Sequence, residues 1–320
     1  MKSPAAALFV CALACGACGP RLLVAPGPPV ALSPHPQTAL SRAVIVVSID
    51  GLRPDAIAAF DARTLTRLMA EGSYTLSART ILPSNTLPSH TSMLTGETPD
   101  RHRVSWNNAI THGSKVVAVP TVFSEARSHG YTTAAFFSKA KFSTLQRAGT
   151  LDYSQAPGGW FGRWPAARTM TDVEGYLADR VPNLLFVHLA DPDVAGHNGG
   201  WMSAGYGKAV LRADAAVARL LAAADRAYGA GLYTIIVTAD HGGHGRGHGS
   251  NDPRDVTIPW IAWGQGVVAG AMKGDAVTTM DTAATVLYLL GIDRPAGWGG
   301  TAVTGAFVHA AGSVDGRKIR

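Results

Sequence analysis

The sequence predicts an α/β sandwich built on a largely parallel sheet. Three observations carry that prediction. Apolar, β-branched runs alternate with stretches of helical periodicity along the chain. Several runs are continuously apolar, as strands covered on both faces are. Polar residues gather directly after the strand ends, where open α/β sheets place their ligands. With 320 residues, 47% of them hydrophobic and 16% charged, the chain can build one large core and is far from a disordered composition.

In order, Ala43–Ile49 reads as a central parallel strand ended by Asp50-Gly51. Asp61–Ala70 reads as a helix with Leu65, Leu68 and Met69 on one face and Gly72 beyond its end. Tyr74–Ile81 is expected as a strand. Pro83–Gly96 turns from loop into helix, with Thr86 near the cap and Pro88 in the first turn, so the Thr86 hydroxyl lies at the positive end of a helix dipole. A helix over Thr121–His129 and a strand over Tyr131–Phe137 follow. Ala140–Pro165 carries no clear period, and Gly158–Trp164 reads as an irregular flap. Ala166–Arg180 is a helix, and Asn183–Leu189 a strand running into Asp191-Pro-Asp193. Ser203–Tyr228 is a long helix and Leu232–Thr238 a buried strand. Ile258–Trp263 is a strand whose Pro259 favours an edge position. Asp281 is expected to cap a helix that runs to Leu290 and stops at Gly291.

The N-terminus has a different character. Met1-Lys2 followed by the apolar Ala5–Ala14 reads as an export signal over residues 1–18, too short to span a bilayer stably. All three cysteines, Cys11, Cys15 and Cys18, fall within it, so a cleaved chain holds at most one cysteine and no disulfide. Ala14-Cys15 and Ala17-Cys18 resemble lipoprotein processing sites without the usual leucine. The expectation is therefore an exported protein, either anchored through an N-terminal lipid or soluble in the periplasm. A proline-rich linker (19–41), a catalytic domain (42–310) and a basic tail (311–320) complete the division. The formal charge of +6 suits an anionic substrate. No nucleic-acid-binding motif is present, so a specific duplex is not an expected partner.

The chemistry is concentrated after the Leu232–Thr238 strand, in Asp240-His241-Gly-Gly-His244-Gly-Arg-Gly-His248-Gly249. Carboxylate and imidazole groups separated by glycine suit a zinc-like ion; alone, the stretch reads equally as a flexible His/Gly loop. The rest of the chain tips the balance. Asp50, Asp193 and Asp240 each follow an apolar strand, so one sheet edge can bring them together. Asp193 and His197 stand at i and i+4, which could share a helical face, although Gly196 and Gly199-Gly200 favour a loop. With His241, His248 and the Thr86 hydroxyl these make roughly seven ligands, enough for two ions about 4 Å apart, the requirement of two-metal phosphoryl transfer.

These segments resemble, in order, the motifs of the alkaline phosphatase superfamily, in its nucleotide pyrophosphatase/phosphodiesterase branch. Ser48–Pro54 is similar to the first metal-binding aspartate segment, and Asn85–His90 with Leu94-Thr-Gly96 to the nucleophile segment. His102–Asn107 is similar to the segment whose Asn binds a phosphoryl oxygen. Asp191–His197, Ala239–Gly242 and Gly247–Gly249 are similar to the remaining metal motifs. The resemblance implies a three-layer sandwich and two divalent ions, Zn2+ by family habit. One would be held by Asp193, His197 and His248, the other by Asp50, Thr86, Asp240 and His241. It implies Thr86 as nucleophile, Asn107 as an oxyanion donor, and a small phosphate- or phosphonate-containing substrate. His248 comes only seven residues after His241, a compact version of the family. His244 competes with it as a ligand, but His248 is the one flanked as Gly-His-Gly. Sulfatases share the scaffold but need a Cys/Ser-x-Pro-x-Arg segment, which reads Thr86-Leu-Pro88-Ser-His90 here.

The plainer readings are a helix cap for Thr86 and a turn for Asn107. Lys139 and Lys141 read first as a solvated loop pair. Their functional reading is binding of an anionic part of the substrate away from phosphorus, since phosphonoacetate hydrolases are similar here. Trp106, Trp160 and Trp164 could stack on a base but are commonly packing residues. His90, His102, His112 and His188 are expected to support structure. A phosphodiesterase or pyrophosphatase is the leading expectation. A phosphonate hydrolase or phosphomonoesterase is the first alternative, and a non-catalytic zinc- or phosphate-binding lipoprotein the second.

Overall fold

The β-branched run after Ala43 forms β1 (Val44–Ile49), buried at every position. A computed structural model describes residues 39–108, 117, 119–146, 149–159, 162–272 and 276–308. The expected export signal, most of the linker, the basic tail, His112 and Trp160 lie outside the described residues. After β1 come α1 (Pro54–Ala59), α2 (Arg63–Glu71), β2 (Ser73–Arg79), α3 (Thr86–Thr95), α4 (Pro99–His102), α5 (Val122–Ser128) and β3 (Thr133–Phe136). A 3-10 turn over Ala140–Leu145 leads to β4 (Tyr153–Gln155), α6 (Ala166–Asp179), β5 (Leu184–Leu189) and α7 (Asp191–Gly199). The chain continues with α8 (Ala204–Tyr228), β6 (Thr234–Thr238), α9 (Pro253–Val256), β7 (Thr257–Gly264), β8 (Gly270–Ala271) and α10 (Asp281–Leu289).

One eight-stranded sheet takes the order β4-β3-β5-β1-β6-β7-β2-β8. From β4 to β6 every pairing is parallel. β7 runs antiparallel to both β6 and β2. The central strands β1, β5 and β6 are buried throughout, as continuously apolar sequences in a sheet covered on both faces must be. Helices α1, α2, α6, α7 and α8 pack on one another, and α3, α4, α5 and α10 form a second set. Together with the sheet they make the expected three-layer α/β sandwich. Among the described residues, no helix is long and apolar enough to cross a membrane.

Two expectations are corrected. β7 is not an edge strand: it lies between β6 and β2. Pro259 is tolerated there because the β2 register shifts between Thr75, opposite Trp260, and Ala78, opposite Ile258. The bulge removes the ladder position at which a missing N–H would be felt. The segment carrying Asp193 and His197 is helical, not a loop. Its Gly196 is no helix breaker: an added Cβ would stand 2.6 Å from the Trp201 indole. The glycine is a packing requirement, and the helix survives its low propensity. Two smaller shifts accompany these. Asp281 is the first helical residue, with Met280 as N-cap, and its carboxylate accepts the Thr278 and Thr301 N–H groups, each at 2.6 Å. The unreadable stretch after Ala140 contains β4, too short at three residues to show a period.

Gly196→Ala sets two effects against each other. Alanine gains about 1 kcal/mol of helix propensity, whereas forcing a methyl against a packed indole costs roughly 1–3 kcal/mol. Packing should win, and urea denaturation should show a net loss of stability. A net gain would mean that Trp201 does not sit against the helix as described.

Candidate metal centre

Because β5, β1 and β6 are adjacent and parallel, their carboxyl ends lie side by side. Asp50 follows β1, Asp193 stands in the first turn of α7 after β5, and Asp240 follows β6 by one residue. The three segments are stitched together. The Asp193 N–H donates to the Asp50 carbonyl at 3.0 Å, and the Gly51 N–H to Asp240 Oδ1 at 3.1 Å. Gly51 has φ +73°, and an added Cβ would lie 3.0 Å from Asp193 Cα. Only glycine both adopts that conformation freely and lets α7 approach so closely.

The side chains form two groups whose ligand atoms lie within 4.8 Å of one another: Asp193, His197 and His248, and Asp50, Asp240 and His241. The groups face each other, with His241 Nε2 4.0 Å from Asp193 Oδ1. The i,i+4 spacing on α7 does put Asp193 and His197 on one face, with Oδ1 3.2 Å from Nε2. His248 Nε2 lies 3.5 Å from the same oxygen. His244 belongs to neither group; its Nδ1 pairs with Asp255 Oδ1 at 2.7 Å.

Hydrogen-bond accounting supports metal ions at these positions. His197 Nδ1 donates to the Arg246 carbonyl at 2.9 Å, His241 Nδ1 to the Gly242 carbonyl at 2.8 Å, and His248 Nδ1 to the Ser84 carbonyl at 2.8 Å. A carbonyl only accepts, so Nδ1 carries a hydrogen and each ring turns its Nε2 inward, where the neutral form presents a lone pair. Those lone pairs meet Asp50 Oδ1, Asp193 Oδ1 and Asp240 Oδ2, buried oxygens without a hydrogen-bond donor. Lone pairs facing unpaired carboxylate oxygens are an arrangement that a cation bound between them would satisfy. The mixed nitrogen and oxygen donors fit a borderline divalent ion such as zinc. Burial lowers the His248 pKa to about 4, so this ring is neutral near pH 7.

The outer oxygens are occupied. Lys139 Nζ donates to Asp50 Oδ2 at 2.6 Å and Asp193 Oδ2 at 2.5 Å. His188 Nδ1 accepts the Ser138 N–H at 3.2 Å, so its Nε2 carries the hydrogen given to Asp50 Oδ2 at 2.9 Å. His90 Nδ1 donates to the Thr86 carbonyl at 2.8 Å, and its Nε2 pairs with Ser48 Oγ at 2.8 Å. Burial pushes the Asp50 pKa up, but Lys139 and then His188 outweigh it and hold the carboxyl well below its usual range. For Asp193, burial and the Asp50 charge act upward, Lys139 and the His197 contact downward, and the net is again downward. The Asp240 pKa also ends low: burial and Asp50 raise it, and His241 and His90 prevail.

Thr86 is the first residue of α3, after the Asn85 cap, and is 1% exposed. Its Oγ1 lies 3.3 Å from His241 Nε2. Asn107 Oδ1 accepts the Leu87 N–H at 2.9 Å and a Lys141 Nζ hydrogen at 3.2 Å, which identifies its NH2 as the donor end. Every expected site residue is thus drawn to one place. The solvated-pair reading of the lysines is corrected: Lys139 is buried and Lys141 half-buried, because the 3-10 turn folds both inward. Of the tryptophans, Trp164 lies under the Arg168 guanidinium, 5.5 Å from the ring centroid, and Trp106 is half-buried against the core.

Sequence reasoning missed Trp201. Its indole fills the space left by Gly196 and Gly243, whose added Cβ atoms would stand 2.6 and 2.2 Å from it. Its Nε1 donates to the Gly51 carbonyl at 3.0 Å, and its ring meets that of His197 edge-on at 5.1 Å. It wedges together the segments carrying Asp50, His197 and His241. The glycines in Asp191–His197 and Asp240-His241-Gly-Gly were the available signal; they mark the room a large ring needs. Asp255, fully buried, was also missed. Besides His244, it accepts the Ser250 N–H and hydroxyl at 3.1 and 2.7 Å, tying down the His241–Gly249 loop.

Three comparisons bear on this arrangement. Mouse ectonucleotide pyrophosphatase/phosphodiesterase family member 3 is 26% identical over 226 residues, covering 62% of this chain and 24% of the mouse protein. The chain spans about a quarter or less of the curated relatives it matches. Among solved structures, murine ectonucleotide pyrophosphatase/phosphodiesterase 5, an inactive variant in complex with AMP, superposes with a TM-score of 0.65. It is 14% identical, covering 79% of this chain and 96% of that one. The phosphonate monoester hydrolase of Silicibacter pomeroyi gives 0.61 at 15% identity, covering 82% and 75%. At such identities these two structures show the shared fold alone. The family model for type I phosphodiesterase / nucleotide pyrophosphatase, however, matches residues 44–245. That span runs from β1 through β6 to the aspartate–histidine pair behind it, and it places the chain in the type I phosphodiesterase / nucleotide pyrophosphatase family.

Proposed function

We propose that the chain is a two-metal hydrolase that cleaves phosphodiester or pyrophosphate bonds of nucleotide-type substrates through a phospho-threonine intermediate. The observation that carries this reading is the Thr86 hydroxyl, at the N-terminus of α3 and 3.3 Å from the inward nitrogen of His241. Asp193, His197 and His248 would hold one ion, and Asp50, Thr86, Asp240 and His241 the other, with zinc as the expected metal. Such ions, when bound, neutralise charge at phosphorus and favour the Thr86 alkoxide.

The chain's own groups do the rest. Thr86 Oγ attacks phosphorus in line and displaces the leaving oxygen, leaving the phosphoryl group on the threonine. The Thr86 backbone N–H, in the first turn of α3 where no intrahelical acceptor exists, and the Asn107 NH2 hold the developing oxyanion. Water then cleaves the phospho-threonine ester. Thr86→Ala should lower turnover of a diester such as bis-p-nitrophenyl phosphate by at least about 10⁴-fold, while the purified variant keeps its metal content. Full activity in that variant would reject the reading.

The ligand assignment makes a separate prediction. By elemental analysis, His248→Ala should bind one equivalent of zinc fewer than the parent, and His244→Ala should bind as many. The opposite pattern would exchange the roles of the two histidines.

A phosphonate hydrolase or phosphomonoesterase on the same scaffold is favoured by Lys141, whose ammonium contacts the Asn107 oxygen. It can meet an anionic group attached beyond phosphorus. Burial, then the Lys139 charge, lowers its pKa to about 8. The ammonium is therefore present below pH 8 and lost above it. In a panel of a diester, a monoester and phosphonoacetate, KM for phosphonoacetate should rise selectively above pH 8, and Lys141→Arg should flatten that rise. Parallel KM profiles for all three substrates would remove Lys141 from substrate recognition.

A further inference from the structure

The functional reading of Lys139 in the sequence made it a partner of Lys141, offered to the substrate. Its geometry is different. The residue is 8% exposed, and two of its three ammonium hydrogens go to carboxylates of the two separate ligand groups. Both accepting oxygens are the Oδ2 atoms; the Oδ1 atoms of the same carboxylates are the donor-free oxygens facing the histidines. The ammonium and the nitrogens of His197 and His241 thus meet different oxygens of Asp50 and Asp193, and on Asp50 Oδ2 the ammonium is joined by His188 Nε2.

The backbone holds the lysine in place. Beside it, Ser138 gives its N–H to His188 Nδ1 at 3.2 Å and its hydroxyl to the His188 carbonyl at 2.5 Å. Lys139 itself bridges to Arg163, and the Ala140 N–H reaches the Gly162 carbonyl at 2.9 Å. The stem is anchored to β5 on one side and to the 162–164 segment on the other. Among the described residues, no other lysine or arginine pairs with Asp50 or Asp193.

Three carboxylates that are 0%, 4% and 0% exposed, Asp50, Asp193 and Asp240, cannot be buried together without compensating charge. We infer that Lys139 is a resident cation of the metal centre, a positioning residue that bridges Asp50 and Asp193 on their outer oxygens and keeps the ligand set folded before any metal arrives. It aims both Oδ1 atoms inward and offsets the mutual repulsion of the carboxylates. It also lowers the net negative charge an incoming ion meets, exchanging some metal affinity for a stable metal-free fold. The inference rests on the two Asp/His groups as metal ligands and not on the reaction assigned to Thr86.

The test compares the parent with Lys139→Met and Lys139→Arg, each purified with zinc, treated with chelator, and melted with and without added zinc chloride. In Lys139→Met the metal-free carboxylates lose their counter-charge, and bound zinc loses a repelling neighbour. Both effects enlarge the metal-induced rise in Tm, by about 5 °C or more over the parent. A Lys139→Met protein that unfolds on chelation and refolds with zinc gives the same answer in stronger form. Lys139→Arg keeps the charge and should show a rise close to the parent's. A rise in Lys139→Met no larger than the parent's would overturn the inference. So would a loss of stability that zinc chloride does not restore. A third contrary result is an unaltered zinc response with KM raised for phosphonoacetate alone, which would return Lys139 to the substrate.

Discussion

Everything in this molecule depends on three buried carboxylates whose inward oxygens have no donor. Asp50, Asp193 and Asp240 stand at the carboxyl ends of three adjacent parallel strands. The strands themselves are apolar and buried, so the sheet alone cannot offset this charge. What answers it arrives from elsewhere: one ammonium from the turn after β3 offsets part of the charge, and histidines from α7 and the glycine-rich loop complete the two ligand groups. Parallel topology is the reason the problem and its solution occur at a single edge. Strands joined by crossover helices put all their carboxyl ends on one side, and every loop emerging there can contribute a side chain.

Around the carboxylates, each imidazole is oriented by a hydrogen bond on its far nitrogen, and each glycine by what it must leave room for. Gly51 admits the backbone of α7, and Gly196 and Gly243 admit Trp201. The indole ties three ligand-bearing segments into one packed unit. Asp191, the first aspartate of its motif, faces away from the centre: it accepts the Ala166 N–H at 2.7 Å and Arg212 Nε at 2.8 Å. Two aspartates separated by one proline therefore do different work, one tying the start of α7 to α6 and α8 and the other joining the Asp/His group.

Much of this was legible in the sequence. The central strands announced themselves as continuous apolar runs, and the three clustered aspartates as polar residues placed soon after them. Legibility failed where a residue's role depends on something distant in the chain. Gly196 looked like a helix breaker for a nearer reason: Trp201, only five residues on, packs against it only once the chain folds back. Pro259 suggested an edge because the accommodating bulge lies on β2, some 180 residues earlier. Lys139 looked solvated because lysine on a polar loop usually is, and nothing local says that two carboxylates await it. Conformation read from local pattern was sound; burial and pairing were not local properties.

The central claim is that six side chains from three strand ends, one helix and one loop form two adjacent cation sites. Anomalous diffraction at the zinc edge, from crystals grown with zinc chloride, tests it most directly. The account requires two peaks, one among Asp193, His197 and His248 and one among Asp50, Asp240 and His241. A fully zinc-saturated crystal with no peak between these groups, or with Asp50, Asp193 and Asp240 pointing to different sides of the sheet, would contradict it.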